Sequence, residues 1–366
     1  MRSTTTSRRV TSIPPRIRLL KENESLKKTL LCAGWLLLAA SGVLAQGPNG
    51  SGTYYQKADG KTGAALKTAL CGIIYNRTER SYGDLWTDFQ TTDARPDGSV
   101  WDMYSGTSQF TFGVNQDRGA GGSNEGEYYN REHSWPNSWF GAKVQPMYTD
   151  LHHVYPADKL VNNKRSNNPF GETNGENYKS NGNFSKLGTC TYPGYTGKVF
   201  EPNDEYKGDF ARTYFYMVTC YEEKIADWYV NYGVNNSNAE TKDAVMATLD
   251  GKSYPGLSSW QLEMLMKWAK NDPVSEKETN RNNAVYSIQK NRNPFIDYPG
   301  LEEYIWGDKM GEPFSYANEE TAIQTVMQDN QTESVYATDG CQLKAKRRGL
   351  NIVRRRSGKV EKMIQR

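Results

Sequence analysis

The chain is poor in histidine, and its few histidines are not scattered. Only three of the 366 residues are histidine, and all lie in one short window, at His133, His152 and His153. Such clustering indicates a functional site. The sequence has no H-E-x-x-H pattern, which excludes a helical zinc protease, and no C-x-x-C pair, which argues against a zinc knuckle.

The chain also lacks an apolar run long enough for a typical membrane helix. The most apolar stretch, "KKTLLCAGWLLLAASGVLA" (Lys27–Ala45), has a basic flank and ends in small residues. This is the pattern of a secretory signal, so we expect residues 1–45 to be removed after Ala45. A short transmembrane anchor is the alternative.

Cysteine is scarce after the predicted cleavage site. Four remain, and an exported protein can oxidise them. They allow three complete pairings, among which the sequence does not choose. The four are Cys71, Cys190, Cys220 and Cys341.

A global excess of positive charge is missing from the body of the chain. The net charge of +3 includes +6 from the first 46 residues (eight basic, two acidic) and +9 from the last 23 (ten basic, one acidic), which leaves −12 for the body. Binding of a polyanion must therefore be local or assisted by a metal ion. Lys159, Lys164 and Arg165 form one candidate positive patch.

The patterning predicts an α+β protein with a mostly helical body and a small β-sheet. Apolar residues at helical spacing predict a helix over 62–76, and "YGDLWTDF" (Tyr82–Phe89) predicts a short one. A long aromatic-rich helix is expected over 204–229. Two helices broken at an Asp-Pro pair are expected over 260–289.

Strand signals are fewer. A turn followed by a strand is expected in "RPDGSVWDMY" (Arg95–Tyr104), and "QFTFG" (Gln109–Gly113) is expected to be a second short strand. The Asn- and Gly-rich stretch 168–197 is expected to be loop. Composition turns polar over 308–332, which predicts a linker.

The last segment, 333–366, is strongly basic but carries strand-like runs. "SVYATDG" and "GLNIVRRRSGKVEKMI" contain Asp-Gly and Ser-Gly turns, which predict a short C-terminal β-hairpin. The segment resembles the C-terminal sorting domains of exported Bacteroidetes-type proteins, which implies recognition by export machinery. A basic arm that binds nucleic acid is the alternative.

The residue types around the first histidine suit phosphodiester hydrolysis. His133 can act as a general base because histidine titrates near neutral pH. Glu132 and Asn162 offer the oxygen ligands that Mg²⁺ prefers. A competing zinc site would use all three histidines, but the neighbours His152 and His153 would point apart on a strand.

Five segments stand out along residues 62–306, about two-thirds of the chain. They are "VWDMYS", "YNREHSWPNSWF", "YTDLHHVYPADKLVNNKRSNNPFGE", "VFEPNDEYKGDFARTYFYM" and "DPVSEKETNRNNAVYSIQKNRNPFID". Together they resemble the bacterial endonuclease I family of secreted or periplasmic nonspecific nucleases, whose site is a His-metal (ββα-metal) finger. The resemblance implies a catalytic domain over 46–307.

The resemblance implies a role for individual residues. His133 matches the general base, and Glu132 and Asn162 match the ligands of a Mg²⁺ ion, with Mn²⁺ or Ca²⁺ as alternatives. His153 matches a position that we expect to support the finger by hydrogen bonding. His152 is not expected to be essential.

Three arginines have two interpretations each. Arg165 shares a helix face with Asn162, so it either contacts phosphate or forms a structural ion pair. Arg131 either contacts phosphate or neutralises Glu132. Arg212 is expected to pair with Asp209 within its own helix.

Other polar and aromatic residues are expected to be structural. Asn167 is one of them, and "QKNRNPFID" (Gln289–Asp297) is expected to hydrogen-bond back to the core. Trp135 and Trp139 are expected to pack in the core rather than stack on bases.

The sequence therefore predicts a secreted or periplasmic, monomeric, Mg²⁺-dependent endonuclease without a stable membrane span. It would cleave DNA, with RNA as a further substrate, and leave 5′-phosphate ends. Attachment to the cell surface is a variant of this prediction. The alternatives are a degenerate nuclease fold that binds polyanions or a partner without catalysis, and a zinc hydrolase.

Overall fold

The computed structural model describes residues 46–119 and 121–317 and four strands of the C-terminal segment. The predicted signal region 1–45, the linker beyond residue 317 and Cys341 lie outside the described residues. Cys71, Cys190 and Cys220 are free thiols. Within the described part, no helix combines the length and the apolar character that crossing a membrane requires.

The protein is α+β, as predicted. The helices are α1 (Gly63–Ile74), α2 (Leu85–Thr92), α3 (Lys159–Arg165), α4 (Lys207–Cys220), α5 (Ile225–Trp228), α6 (Ala239–Thr248), α7 (Ser259–Asn271), α8 (Glu276–Gln289), α9 (Pro294–Asp297) and α10 (Leu301–Ile305). The strands are β1 (Tyr129–His133), β2 (Val154–Asp158), β3 (Tyr178–Lys179), β4 (Lys186–Thr189), β5 (Lys198–Glu201), β6 (Glu333–Tyr336), β7 (Gln342–Leu343), β8 (Gly349–Arg355) and β9 (Val360–Gln365).

Helix α4 is the centre of the helical body. Residues 208–220 of this helix are all buried, and the two charged side chains among them, Asp209 and Arg212, are paired with Lys277 and Glu278. It packs against α1 and α7. The long helix expected over 204–229 ends at Tyr221, after which the chain continues through short helical turns into α5.

Strands β1 and β2 and helix α3 form a ββα unit. The strands pair antiparallel, with His133 opposite Val154. Helix α3 begins directly after β2 because the carboxylate of Asp158 accepts hydrogen bonds from the backbone of Leu160 and Val161. The unit places the end of β1 beside a helix that is only seven residues long.

Most predicted helices are confirmed, but the strand predictions near residue 100 are wrong. Within the described part, Arg95–Tyr104 contributes only an isolated bridge from Val100 to Ala94, and Gln109–Gly113 forms no strand. The side chains of Val100 and Phe110 pack against Tyr129 instead. The stretch 168–197, expected to be loop, holds β3 and β4, and β4 lies between β3 and β5 in a three-stranded antiparallel sheet.

The C-terminal strands form a four-stranded antiparallel sheet in the order β7-β6-β8-β9. The predicted hairpin is present as β8 and β9, with Gly349 opposite Gln365. The sheet is larger than predicted because β6 and β7 extend it beyond β8.

A fully buried carboxylate, Asp150, anchors the long β1–β2 connection. Asp150 Oδ2 accepts hydrogen bonds from Arg77 and from the hydroxyls of Tyr216 and Tyr221, both at 2.8 Å. Asp150 Oδ1 accepts from Gln289 at 3.0 Å. Although burial alone would raise the pKa of Asp150, Arg77 holds it well below its usual range.

The segment 289–297 is structural, as predicted. Gln289 also accepts a hydrogen bond from the backbone of Leu151 at 2.7 Å. Asn291 donates to Tyr216 at 2.8 Å, and Arg292 pairs with Asp297 at 2.6 Å. The segment therefore joins the β1–β2 connection to the helical core.

The buried histidines should make the fold sensitive to acid. Burial lowers the pKa of His152 to about 3 and that of His153 to about 4, against about 6.5 in an unfolded chain. In this window the unfolded chain binds protons that the folded chain does not, so the free energy of unfolding should fall as the pH drops from about 6.5 to about 4. Urea denaturation at a series of pH values measures this slope.

His152→Gln is the informative variant, because glutamine can still donate to the Asn291 carbonyl. It should reduce the slope by up to about 1.4 kcal/mol per pH unit. Equal slopes for the wild type and His152→Gln between about pH 6.5 and about pH 4 would contradict the prediction, since other buried groups contribute equally to both proteins.

Candidate active site

His133 lies at the end of β1, and one of its two ring nitrogens forms a hydrogen bond with the backbone. Its Nε2 lies 3.0 Å from the backbone carbonyl of Tyr148, so Nε2 carries the proton. Burial, with a smaller effect of His153, lowers the pKa of His133 to about 3. The ring is therefore neutral at pH 7, with the lone pair on Nδ1, which makes no hydrogen bond to a described residue.

The ring of His133 is held by aromatic packing as well. It stacks on Tyr148 at 5.2 Å between centroids and 10° between planes. Tyr82 stacks in turn on Tyr148 at 4.3 Å. These contacts fix the orientation of the imidazole before any substrate binds.

Glu132, the neighbouring residue, is 4% exposed, and one of its carboxylate oxygens accepts two hydrogen bonds. Oε1 accepts from Arg165 Nη1 and from the hydroxyl of Tyr104, both at 2.8 Å. Burial raises the pKa of Glu132, and Arg165 opposes that shift. Oε2 makes no hydrogen bond to a described side chain and is not among the enclosed unpaired atoms, so it retains an open side, although the backbone of His133 also interacts with the carboxyl and lowers its pKa.

Asn162, on α3, is oriented by a strand residue. Its Nδ2 donates to Asn130 Oδ1 at 2.7 Å, which leaves Asn162 Oδ1 without a described donor. Asn130 and Glu132 lie two residues apart on β1 and therefore share one face of the strand. The free oxygens of Glu132 and Asn162 suit a hard cation that keeps several waters.

The neighbours of Asn162 differ from it. Asn163 is exposed, and Asn167 donates to Thr241 at 2.7 Å, as expected for a structural residue. In the described part of the chain, no group of three or more His, Cys, Asp or Glu side chains could hold a metal ion. A three-histidine zinc site is therefore not formed by these side chains.

The two adjacent histidines, His152 and His153, both form hydrogen bonds with backbone carbonyls. His153 Nε2 lies 2.6 Å from the carbonyl of Met147, and His152 Nε2 lies 3.2 Å from that of Asn291. The carbonyl of His153 accepts a hydrogen bond from the Ser134 hydroxyl at 2.8 Å. These hydrogen bonds hold the β1–β2 connection in place, which is the supporting role expected for His153.

Arg165 is fully buried, so the structural interpretation of this residue is the one that the contacts favour. Beyond Glu132, its guanidinium donates to the carbonyls of His133 at 2.9 Å and Ser134 at 2.6 Å. Lys159 pairs with Asp117 at 2.8 Å. The expected positive patch is therefore reduced to the exposed Lys164.

The interpretation of Arg131 as the residue that neutralises Glu132 needs correction, and the expected Arg212–Asp209 pair is present but is the weaker of two. Arg131 forms no ion pair with Glu132, whose partner is Arg165. Arg212 pairs mainly with Glu278, at 2.6 and 2.8 Å, because the bend between α7 and α8 brings that carboxylate to α4. Asp209, the expected partner, lies 3.9 Å away.

Comparison with known proteins is consistent with this arrangement. Residues 62–300 match the Endonuclease I family. The chain belongs to the endonuclease I family. It is 37% identical over 259 residues to the extracellular ribonuclease of Bacillus amyloliquefaciens. The aligned region covers 69% of this chain and 78% of that protein.

Two other relatives differ in how much of the chain they share. The extracellular ribonuclease of Bacillus subtilis (strain 168) is 34% identical over 308 residues, covering 76% of this chain and 95% of the relative. Endonuclease-1 of Buchnera aphidicola subsp. Baizongia pistaciae (strain Bp) is 28% identical over 153 residues. This aligned region covers 42% of this chain and 47% of the relative.

The sequence alone did not reveal three aromatic residues of this family member's candidate site. Tyr104 binds the Glu132 carboxylate, and Tyr82 and Tyr148 order the His133 ring. Tyr148 acts on His133 through a backbone carbonyl, which no side-chain pattern can indicate. Trp135 and Trp139 are fully buried, as predicted.

The Arg165–Glu132 pair should dominate local stability. Arg165→Met leaves a buried carboxylate without its cation, and we expect the free energy of unfolding to fall by about 3–5 kcal/mol. The double variant with Glu132→Gln should recover part of that loss, because no buried charge then lacks a partner. Chemical denaturation measures both.

Lys267→Met is the matched control, since it breaks an exposed pair with Glu172. That change should cost less than about 1 kcal/mol. Equal losses for the two single variants would show that burial of the Arg165–Glu132 pair has no special weight.

Proposed function

We propose that this chain is an exported endonuclease that hydrolyses phosphodiester bonds in DNA and RNA. Family membership supports nuclease activity. The names of the Bacillus relatives, extracellular ribonucleases, support export and RNA as a substrate, and the name Endonuclease-1 in Buchnera supports internal cleavage. Export also fits the signal-like pattern that ends at Ala45.

The observation that carries the mechanism is the hydrogen bond from His133 Nε2 to the Tyr148 carbonyl. With Nε2 protonated, Nδ1 is the atom that accepts a proton from the attacking water. A phosphate anion bound beside the ring raises the pKa of His133, which strengthens it as a base. Deprotonated water then attacks phosphorus, and the 3′-oxygen leaves, so the products carry 5′-phosphates.

The free oxygens of Glu132 and Asn162 would hold a divalent ion, with Mg²⁺ as the first candidate. Such an ion would supply charge neutralisation on the phosphate and on the leaving oxygen. Arg165 and Tyr104 hold Oε1 of Glu132, so that Oε2 is the oxygen offered to the ion. Asn130 orients Asn162 in a similar way. It accepts a hydrogen bond from the Asn162 amide nitrogen, so that Oδ1 of Asn162 is the atom offered to the ion.

His133→Ala should reduce cleavage of supercoiled plasmid and of RNA by about 10²–10⁴-fold, because the general base is lost. Nicking assays in Mg²⁺ and in EDTA measure this, and EDTA should stop the wild type. His152→Gln is the control and should cleave at close to the wild-type rate. A His133→Ala variant that cuts like the wild type would disprove the proposed base.

Asn162→Ala should raise the Mg²⁺ concentration needed for half-maximal cleavage by about 10–100-fold, since one of two protein ligands is removed. Asn163→Ala is the matched control, because Asn163 is the exposed neighbour on the same helix. Titration of Mg²⁺ in the plasmid assay compares the two. The proposed ligand would be wrong if both variants needed the same concentration as the wild type.

A further inference from the structure

Arg131 is a partly buried cation that forms no close ion pair with a described carboxylate; Asp117 acts on it only at longer range and is itself paired with Lys159. The described arginines with the most deeply buried side chains are all neutralised by a neighbouring acid. Their pairs are Arg77–Asp150, Arg165–Glu132, Arg212–Glu278, Arg281–Asp93 and Arg292–Asp297. Burial lowers the pKa of Arg131. Holding such a charge without a counter-ion is unfavourable, so its position calls for an anion.

Two aromatic rings fix the Arg131 guanidinium. Its Cζ lies 3.4 Å from the ring centroid of Tyr82 and 4.2 Å from that of Trp86. Nη1 donates to the Tyr82 carbonyl at 2.5 Å, and Nε is buried without an acceptor. Nη2 is not among the enclosed unpaired atoms, and Tyr82 is the only described side chain with a hydrogen bond to the guanidinium, so Nη2 is the donor edge that remains open.

The open edge lies on the same side of β1 as the proposed base. Arg131 and His133 are two residues apart on β1 and therefore share a face, opposite to the face of Asn130 and Glu132; His133 is the last residue of the strand. The Tyr82 ring, which contacts the guanidinium, also lies 6.1 Å from the His133 ring at an interplanar angle of 17°. A single tyrosine ring thus separates the cation from the imidazole.

The same packing excludes a simpler explanation of the aromatic residues. Tyr148 stacks on Tyr82 at 4.3 Å, and Arg131 contacts Tyr82 at 3.4 Å. At these distances the two neighbours must occupy opposite faces of the ring. Tyr82 therefore has no free face on which a nucleobase could stack, and the feature that faces the substrate is the guanidinium.

We propose that Arg131 binds, through Nη2, a backbone phosphate next to the one that is cleaved. The inference rests on the proposed nuclease function. A fixed guanidinium suits this role because it needs no reordering when the phosphate arrives. A local cationic contact with the substrate is also needed, because residues 47–343 carry a net charge of −12 and repel a polyanion.

The test is the salt dependence of cleavage of a short quenched-fluorescent oligonucleotide in Mg²⁺. Arg131→Gln removes one phosphate contact, so we expect log KM against log NaCl to become shallower by about 0.7–0.9. At low salt KM should rise roughly tenfold, while kcat at saturating substrate stays close to wild type. Arg131→Lys keeps the charge and should retain most of the slope with a weaker KM.

Arg80→Gln is the matched control. Arg80 lies two residues before Tyr82 but pairs with Asp88 at 2.8 Å, so its loss should leave the slope unchanged. Thermal unfolding checks that each variant is folded, and Arg131→Lys carries the test if Arg131→Gln is not.

The possible failures are distinct. A wild type that does not cleave the oligonucleotide disproves the nuclease function. A cleaving wild type whose slope is unchanged in Arg131→Gln, or changed equally in Arg80→Gln, overturns the phosphate contact alone. A drop in kcat without a change in KM also overturns it, because Arg131 would then only support the His133 ring.

Discussion

The candidate site depends on one buried ion pair, between Arg165 and Glu132. The two Nη nitrogens of the Arg165 guanidinium donate to a carboxylate, to two backbone carbonyls at the end of β1 and to the Tyr214 hydroxyl. The pair therefore joins helix α3 to the strand and fixes which carboxylate oxygen faces outward. Because Asn162 lies on the same short helix, three residues before Arg165, the same contact also sets the position of the second ligand.

A second buried charge, Asp150, controls the other half of the site. It receives hydrogen bonds from the α1–α2 connection, from α4 and from the end of α8, and so holds the β1–β2 connection against the helical body. That connection supplies the Tyr148 carbonyl to His133. The identity of the protonated ring nitrogen is thus decided by a carboxylate that touches neither the ring nor the substrate.

Sequence patterns could predict the helical body, and the family resemblance could predict the ββα unit; His133, Glu132 and Asn162 remain predictions for the site. The patterns could not predict the partners of the arginines, because ion pairs between distant segments depend on tertiary packing. Arg212 illustrates this: Asp209 is close in sequence, but Glu278 has the better geometry. The strands expected near Val100 failed for a related reason, since an alternating pattern needs a partner strand and the fold offers only a single bridge there.

The distribution of charge suggests how an acidic protein can act on a polyanion. Most of the well-buried arginines are neutralised by their own carboxylates, and Lys159 is neutralised by Asp117, so neither contributes to attraction at long range. Affinity for nucleic acid must then come from a few fixed contacts at the site and from the ion that Glu132 and Asn162 are proposed to hold. Such a design keeps the number of phosphate contacts small. Substrate binding should consequently depend less steeply on salt than in nucleases with broad basic surfaces.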